Sequence, residues 1–305
     1  MLILITGGSG FVGWNAVRYF VGRGQDVVAT FHTFPHYLHK VAGCRPIPLD
    51  FAERDATDQV VARFQPDIII HTAALARPQE IPSADLLTAV NVDATGQLAR
   101  AAAERDIPFL FLSTDLVFSS NPGLRTESSQ TAPSGAGGYA DSKLAAESAV
   151  RAAGGHWIII RPTLMFGNGT PRSNSFSQFL DRKWAAGQRA PLFTDQFRSF
   201  LYVGDLITAI ERVAIENPVA NEIFLCGGEE HLSRADFGLR YADACGVDRA
   251  MCDPMRADQL PGYAGGASNI ALDCSKLRAT GWRPRGIADA FAEMLCERDD
   301  NRIAG

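Results

Sequence analysis

An α/β fold is predicted: a Rossmann-type doubly wound parallel sheet with a smaller α+β lobe toward the C-terminus. Three observations predict it. Short apolar runs alternate with helical patterns as far as residue 160, a glycine-rich turn joins the first run to the first helix, and the rhythm weakens after residue 162. Apolar strands alternating with helices imply a parallel sheet covered on both faces, and right-handed crossovers give the doubly wound order.

The elements follow in chain order. Residues 2–5 form an apolar run closed by glycines, and 11–21 carry apolar side chains at helical spacing. Strands are expected at 27–30 and 46–49, and a helix at 56–64, ended by Pro66. The run 67–71 holds three consecutive isoleucines. Residues 84–105 place Leu87, Val90, Ala94, Leu98 and Ala101 on one helix face. A strand at 108–112, an Ala-rich helix at 139–153 and a strand at 157–160, stopped by Arg161-Pro162, complete the first half. Beyond it, 168–174 reads as loop, 205–215 as helix, 222–225 as strand and 286–296 as a terminal helix. The expected division is a dinucleotide-binding domain over 1–163, with 195–228 returning to it. A substrate lobe is expected over 164–194 and 229–305.

Composition excludes several classes. The 305 residues are 46% hydrophobic and 21% charged, an ordinary globular balance. A net charge of -5, with no basic run, argues against general nucleic-acid binding. No apolar run reaches membrane-spanning length, and Thr6-Gly7-Gly8 cuts the N-terminal one too early for a signal peptide, so a cytoplasmic location is expected. The six cysteines include no Cys-x-x-Cys pair, which fits reduced thiols. His32, His36 and His39 lack the partners of a metal site, and no metal is expected.

Gly7, Gly10 and Gly13 follow the first strand directly. Gly7 permits the tight turn, Gly10 lets a pyrophosphate approach the backbone, and Gly13 lets the helix lie close to the strand. Ser9, Gly10, Phe11 and Val12 bring backbone amides to the helix start, where they face an anion. The second strand ends Ala29-Thr30-Phe31-His32-Thr33 without the acid that binds an NAD ribose. NADP(H) is therefore preferred, with His32 or Thr33 assisting, and NAD(H) remains the alternative. Asp50, followed by Phe51, stands after the third strand and could accept from the adenine amino group.

Tyr139 and Lys143 sit four residues apart at the start of a helix and so share a face. A nearby ammonium stabilises a phenolate and lowers the phenol from its ordinary value near ~10. Such a tyrosine can pass a proton to a carbonyl oxygen. Ser113-Thr114, at the carboxyl end of an apolar strand, offers a hydroxyl that could orient that carbonyl.

These motifs together resemble the extended short-chain dehydrogenase/reductase family, over roughly residues 1–215. The glycine turn, His71-Thr72-Ala73-Ala74, Asn91, Ser113-Thr114, Tyr139 with Lys143, and Arg161-Pro162 carry the resemblance. It implies Thr114 as the carbonyl-orienting hydroxyl and Asn91 as organiser of a proton relay. Cofactor contacts are implied for Thr72, Ala73, Ala74, Ser113, Pro162 and Leu164. The element Ser113-Thr114-Asp115-Leu116-Val117-Phe118 resembles that of dTDP-4-dehydrorhamnose reductases, as do Thr194-Asp195-Gln196-Phe197 and the tail from Leu272-Asp273 to Trp282. The Asp-Glu pair of the dehydratases is absent, which disfavours dehydration. The chain departs from the reductase pattern at Leu116, at Thr163-Leu164-Met165 and at Arg77-Pro78-Gln79-Glu80, positions that help form the sugar pocket in that group.

Arg198 and the segment to Leu206 resemble epimerase-like members, in which this arginine reaches the substrate diphosphate. The alternative is a surface arginine paired to Asp195 or Asp205. The Gly/Pro-rich loop 119–138 reads as a substrate gate or an ordinary surface loop. The expected function is thus an NAD(P)(H)-dependent oxidoreductase reducing a keto group of a nucleotide-activated sugar, with Thr114, Leu116 and Arg198 toward the substrate. The alternatives are an epimerase that retains NAD and a non-catalytic regulatory subunit of the same fold. The expected partners are a nucleotide sugar and a second copy in a homodimer, with neither nucleic acid nor membrane.

Overall fold

The structure is a computed structural model describing residues 1–53, 55–76, 83–118, 123–132, 138–263 and 269–303. The stretch 77–80 and residues 119–122 and 133–137 of the loop 119–138 lie outside the described residues. From the N-terminus run β1 (Leu2–Thr6), α1 (Phe11–Gly22), β2 (Asp26–Phe31), α2 (His36–His39), β3 (Cys44–Pro48), α3 (Ala56–Phe64) and β4 (Ile68–His71). Then come α4 (Ala84–Thr88), a π turn over Ala89–Asp93, α5 (Ala94–Ala103), β5 (Phe109–Leu112), β6 (Leu124–Arg125), α6 (Tyr139–Ala153) and β7 (Trp157–Pro162).

The second half holds β8 (Met165–Phe166), α7 (Phe176–Ala185), β9 (Ala190–Phe193), β10 (Phe197–Arg198), β11 (Leu201–Tyr202) and α8 (Val203–Glu211). It continues with β12 (Glu222–Cys226), β13 (Leu232–Ser233), α9 (Arg234–Cys245), β14 (Cys252–Met255), β15 (Asn269–Leu272), α10 (Ser275–Ala279) and α11 (Ile287–Ile303). Among the described residues no helix is long and apolar enough to cross a membrane.

Seven parallel strands form the main sheet in the order β12-β7-β5-β4-β1-β2-β3. Side chains alternate between its faces. Ile3, Ile5, Ile68, Ile70, Ile158 and Ile160 pack with α1 and α8 on one side. Leu4, Ile69, Phe109, Phe111 and Ile159 pack with α3, α5 and α6 on the other. Burial on both faces is why these strands read as unbroken apolar runs. The chain leaves β1 toward β2 and β3, then crosses back to β4 on the other side of β1. This switch opens a crevice beyond the carboxyl ends of β1 and β4.

Several boundaries differ from expectation, and two of them bear on the site. The strand expected to stop at residue 160 runs on through Arg161 and Pro162, which pair with Leu225 and Cys226. Pro162 is tolerated because it is the last residue of the strand, and the next bond comes from the Thr163 amide to the Cys226 carbonyl. The single helix expected over 84–105 contains a π turn around Asn91. In the second half, β12 joins the main sheet beside β7. A separate aromatic core gathers Phe166, Phe176, Phe200, Phe237, Tyr241 and Phe291 beneath α7, α9 and α11.

Candidate active site

The glycine turn closes on itself where β1 ends. Gly7 has a φ of 69°, and a Cβ on Gly13 would lie 2.2 Å from the Gly7 carbonyl oxygen. Only glycines let α1 start this close to β1. The turn is held by bonds from the Gly8 amide to the Thr30 carbonyl (2.8 Å) and from the Gly10 amide to the Gly7 carbonyl (2.9 Å). No side chain caps the helix start, and no acidic residue occupies its first turn. Its orphan amides therefore present partial positive charge to an anion.

Beside this turn lies a cleft of about 440 Å³, lined by Gly7, Ser9, Gly10, His32, Asp50, Phe51, Thr72, Ala73 and Ala74, with Leu75, Leu86 and Val90 at its far side. Its chemistry fits the adenosine diphosphate half of a dinucleotide: an anion cradle with apolar walls. The loop after β4 is close-packed on the turn, since a Cβ on Gly7 would lie 2.7 Å from the Ala73 Cα. Asp50 accepts from the Ala52 amide (2.9 Å) and stands 3.5 Å from the His32 imidazole. A larger cavity of about 780 Å³ between α7, α9 and α11 lies away from this turn.

The second half of the site is built from β5, β7 and α6. Thr114 follows β5 and caps the turn Asp115–Val117, accepting from the Leu116 amide at 3.2 Å. That turn packs against α6, whose first residue is Tyr139. Lys143, one turn further on, is buried with its Nζ 4.0 Å from the Phe111 ring centroid. Loss of solvent lowers its amine to about 7, while the Glu147 carboxylate favours the ammonium. The Tyr139 phenol moves the other way: burial raises it, and the Asp115 carboxylate raises it further. The lowering of the phenol by Lys143 expected from the sequence is not found, and burial sets the direction instead.

Three residues named from the sequence turn inward. Ser113 gives its hydroxyl to Glu147 (2.5 Å), and Glu147 is clamped by Arg161 through two bonds of 2.9 and 2.6 Å. Asn91 has both amide hydrogens committed, to the Leu75 carbonyl and to Ser142 Oγ, each at 3.0 Å, and it accepts from the Leu75 amide (2.8 Å). Ser142 in turn donates to the Tyr139 carbonyl (2.7 Å). Asn91 thus ties the loop after β4 to the first turn of α6. Pro162 ends β7, Leu164 packs against the aromatic core, and Leu116 packs beside Val117, Phe118 and Ile270.

Arg198 pairs with neither Asp195 nor Asp205, which face Arg256 and Arg285. Instead it is buried with its Nε 3.8 Å from Asp115. Burial raises the Asp115 carboxyl, and Arg198, Thr163 and Thr114 oppose the shift. Arg234, at the start of α9, was not among the residues named from the sequence. Burial lowers its guanidinium to about 10, with the Tyr263 oxygen opposing and the like charge of Arg198 reinforcing. The helix it opens is marked in the sequence by Ser233 and Asp236, whose reciprocal bonds (2.9 and 2.6 Å) form the cap.

His71 lies beneath the site. Thr95 donates to the Asn91 carbonyl (2.8 Å), so it accepts from His71 Nε2 (2.9 Å), and Thr6 then donates to Nδ1 (2.6 Å). This neutral ring is held down to about 3 by burial and by the Lys143 charge. Unfolding at acid pH frees a site that binds a proton at its ordinary 6.5. Stability is therefore kept above pH 6.5 and lost as the pH falls toward 3, on the order of 1 kcal/mol per unit from this group. Urea unfolding at a series of pH values should show that slope, and His71→Gln should flatten it. An unchanged slope in the variant would contradict the assignment.

Comparison with known proteins follows the same outline. The family model for the RmlD substrate binding domain matches residues 1–299. A dTDP-4-dehydrorhamnose reductase of Mycobacterium tuberculosis is 27% identical over 303 residues, covering 96% of this chain and 92% of that protein. Methionine adenosyltransferase 2 subunit beta of Pongo abelii is 27% identical over 308 residues, covering 97% and 89%. A crystal structure of a Bacillus anthracis dTDP-4-dehydrorhamnose reductase in complex with NADP superposes with a TM-score of 0.81 at 21% identity, covering 97% of this chain and 99% of that one.

Proposed function

The chain belongs to the RmlD substrate binding domain family, of the extended short-chain dehydrogenase/reductase type, and from that premise we propose that it is an NAD(P)(H)-dependent oxidoreductase reducing a keto group of a nucleotide-activated sugar. The observation that carries the reading is that Thr114 caps the Asp115–Val117 turn, which packs against α6, the helix that carries Tyr139 and Lys143 one turn apart, in a sheet whose first strand ends in the Gly7–Gly13 anion cradle. A bound nicotinamide dinucleotide would supply the hydride. Thr114 then orients the carbonyl oxygen, and Tyr139 donates a proton to it. A phenol raised by burial suits that direction, since it stays protonated until the oxygen gains charge. The Lys143 ammonium, favoured by Glu147, stabilises the phenolate that is left.

Residues 1–163 with 195–228 would hold the cofactor, and 164–194 with 229–305 the sugar. Placement of β12 in the main sheet and packing of α8 on α1 support this division. Arg198 and Arg234, two neighbouring guanidinium groups above Asp115, suit the diphosphate of the substrate. The test is a panel of nucleotide keto-sugars with NADPH and NADH. Stoichiometric cofactor oxidation with appearance of the alcohol supports reduction. Interconversion of sugars without net cofactor use points to an epimerase. Similarity to methionine adenosyltransferase 2 subunit beta favours a second reading, a regulatory subunit, for which no sugar in the panel would drive turnover.

A further inference from the structure

We propose that Arg172 reads the 2′-phosphate on the adenosine ribose of the cofactor, so that the chain selects NADP(H) through a residue outside its first βαβ unit. The proposal rests on the dinucleotide reading above and names the phosphate-selecting group within it.

The ribose 2′ position in such a fold lies at the end of the second strand. Here β2 ends at Phe31, and His32, Thr33 and Phe34 follow with no carboxylate among them. Thr33 Oγ1 and His32 Nδ1 are 2.9 Å apart, both side chains are exposed, and His32 lines the adenosine cleft. Arg172 reaches the same segment, its guanidinium carbon 3.5 Å from the centroid of the next residue's ring, Phe34. A guanidinium held over an aromatic face is a suitable partner for phosphate oxygens.

The segment that carries Arg172 is fastened to the start of α1. Asn15 Nδ2 donates both to the Phe11 carbonyl (2.8 Å) and to the Asn168 carbonyl (2.9 Å). Gly169 lies so close to Phe11 that a Cβ there would sit 2.9 Å from the ring. Thr170-Pro171-Arg172-Ser173 is a turn closed by the Ser173 amide on the Thr170 carbonyl (2.9 Å), with Pro171 in the position that favours it. Arg182 Nη1 bonds the Ser173 carbonyl (3.0 Å) from α7. The turn therefore presents Arg172 at its tip, on a base pinned to the first residue of the phosphate-binding helix. Arg172 brings a guanidinium to the segment that follows the strand end where an NAD-selective chain would place an acid.

Dissociation constants for NADPH, NADH, 2′,5′-ADP and 5′-AMP, measured by calorimetry on the whole chain and on Arg172→Gln, test this. The expected result is that the wild type prefers NADPH to NADH and 2′,5′-ADP to 5′-AMP. Arg172→Gln should weaken NADPH and 2′,5′-ADP by about tenfold or more while leaving NADH and 5′-AMP within about twofold. Phe34→Leu, which removes the ring under the guanidinium, should weaken the 2′-phosphorylated ligands by a smaller factor. Equal weakening of all four ligands in Arg172→Gln would overturn the proposal, because a contact to the shared 5′-phosphate does not discriminate at the 2′ position. An unchanged NADPH constant would overturn it too. Failure of the wild type to bind any of the four would instead overturn the dinucleotide reading itself.

Discussion

Tyr139→Phe is expected to lower turnover by about 10²–10⁴-fold while dinucleotide binding persists. The variant keeps the ring and removes only the oxygen that gives up the proton. Tyr139 sits at the head of α6, whose first turn is tied by Ser142 and Asn91 to the loop after β4. The ring should therefore keep its place, and the loss is chemical rather than structural. The two measurements are a steady-state rate with a keto-sugar substrate and a direct cofactor titration. Turnover within a few-fold of wild type would remove Tyr139 as the acid and with it the reductase mechanism.

Arg161→Ala is expected to destabilise the protein by about 3–5 kcal/mol in equilibrium urea unfolding. Glu147 is fully buried, and Arg161 is the cation that meets both of its oxygens. Removing the guanidinium strands a carboxylate in the core with only Ser113 donating to it among the described residues. The combined variant Arg161→Met with Glu147→Leu should recover much of the loss, since replacing both partners leaves no uncompensated charge. A single-variant loss below about 1 kcal/mol would mean that the carboxylate is satisfied some other way. The pair also bears on the site. Glu147 lies one helical turn after Lys143 and favours its ammonium, so its removal should leave that amine neutral at lower pH.

The strands of the main sheet were legible because both of its faces are buried, which writes unbroken apolar runs into the chain. Two helices, Ala56–Phe64 and Tyr139–Ala153, match the expected limits to the residue. The lobe was much less legible. The helix Phe176–Ala185 is capped by Ser175 and Gln178, and Arg234–Cys245 by Ser233 and Asp236, signals that are present in the sequence. Gly238 masks the second of these helices by reading as a breaker. It is a glycine because a Cβ there would lie 2.5 Å from Leu192 on β9. β8, β10, β11 and β13 have two residues each, too few for any periodicity.

Local chemistry settled much of this molecule in advance. The glycine spacing, the phenol and amine one turn apart, and a β2 end without an acid are properties of neighbours in the chain, and nearby residues can be weighed by reading along it. Partnership between distant residues was decided only by packing. Arg198 was drawn to Asp115, Asn91 spent its hydrogens on a loop and a helix, and the phenol rose where a lysine was expected to pull it down. Each outcome depends on how much water is excluded and on which groups the fold brings within reach, and neither quantity exists until the chain is folded.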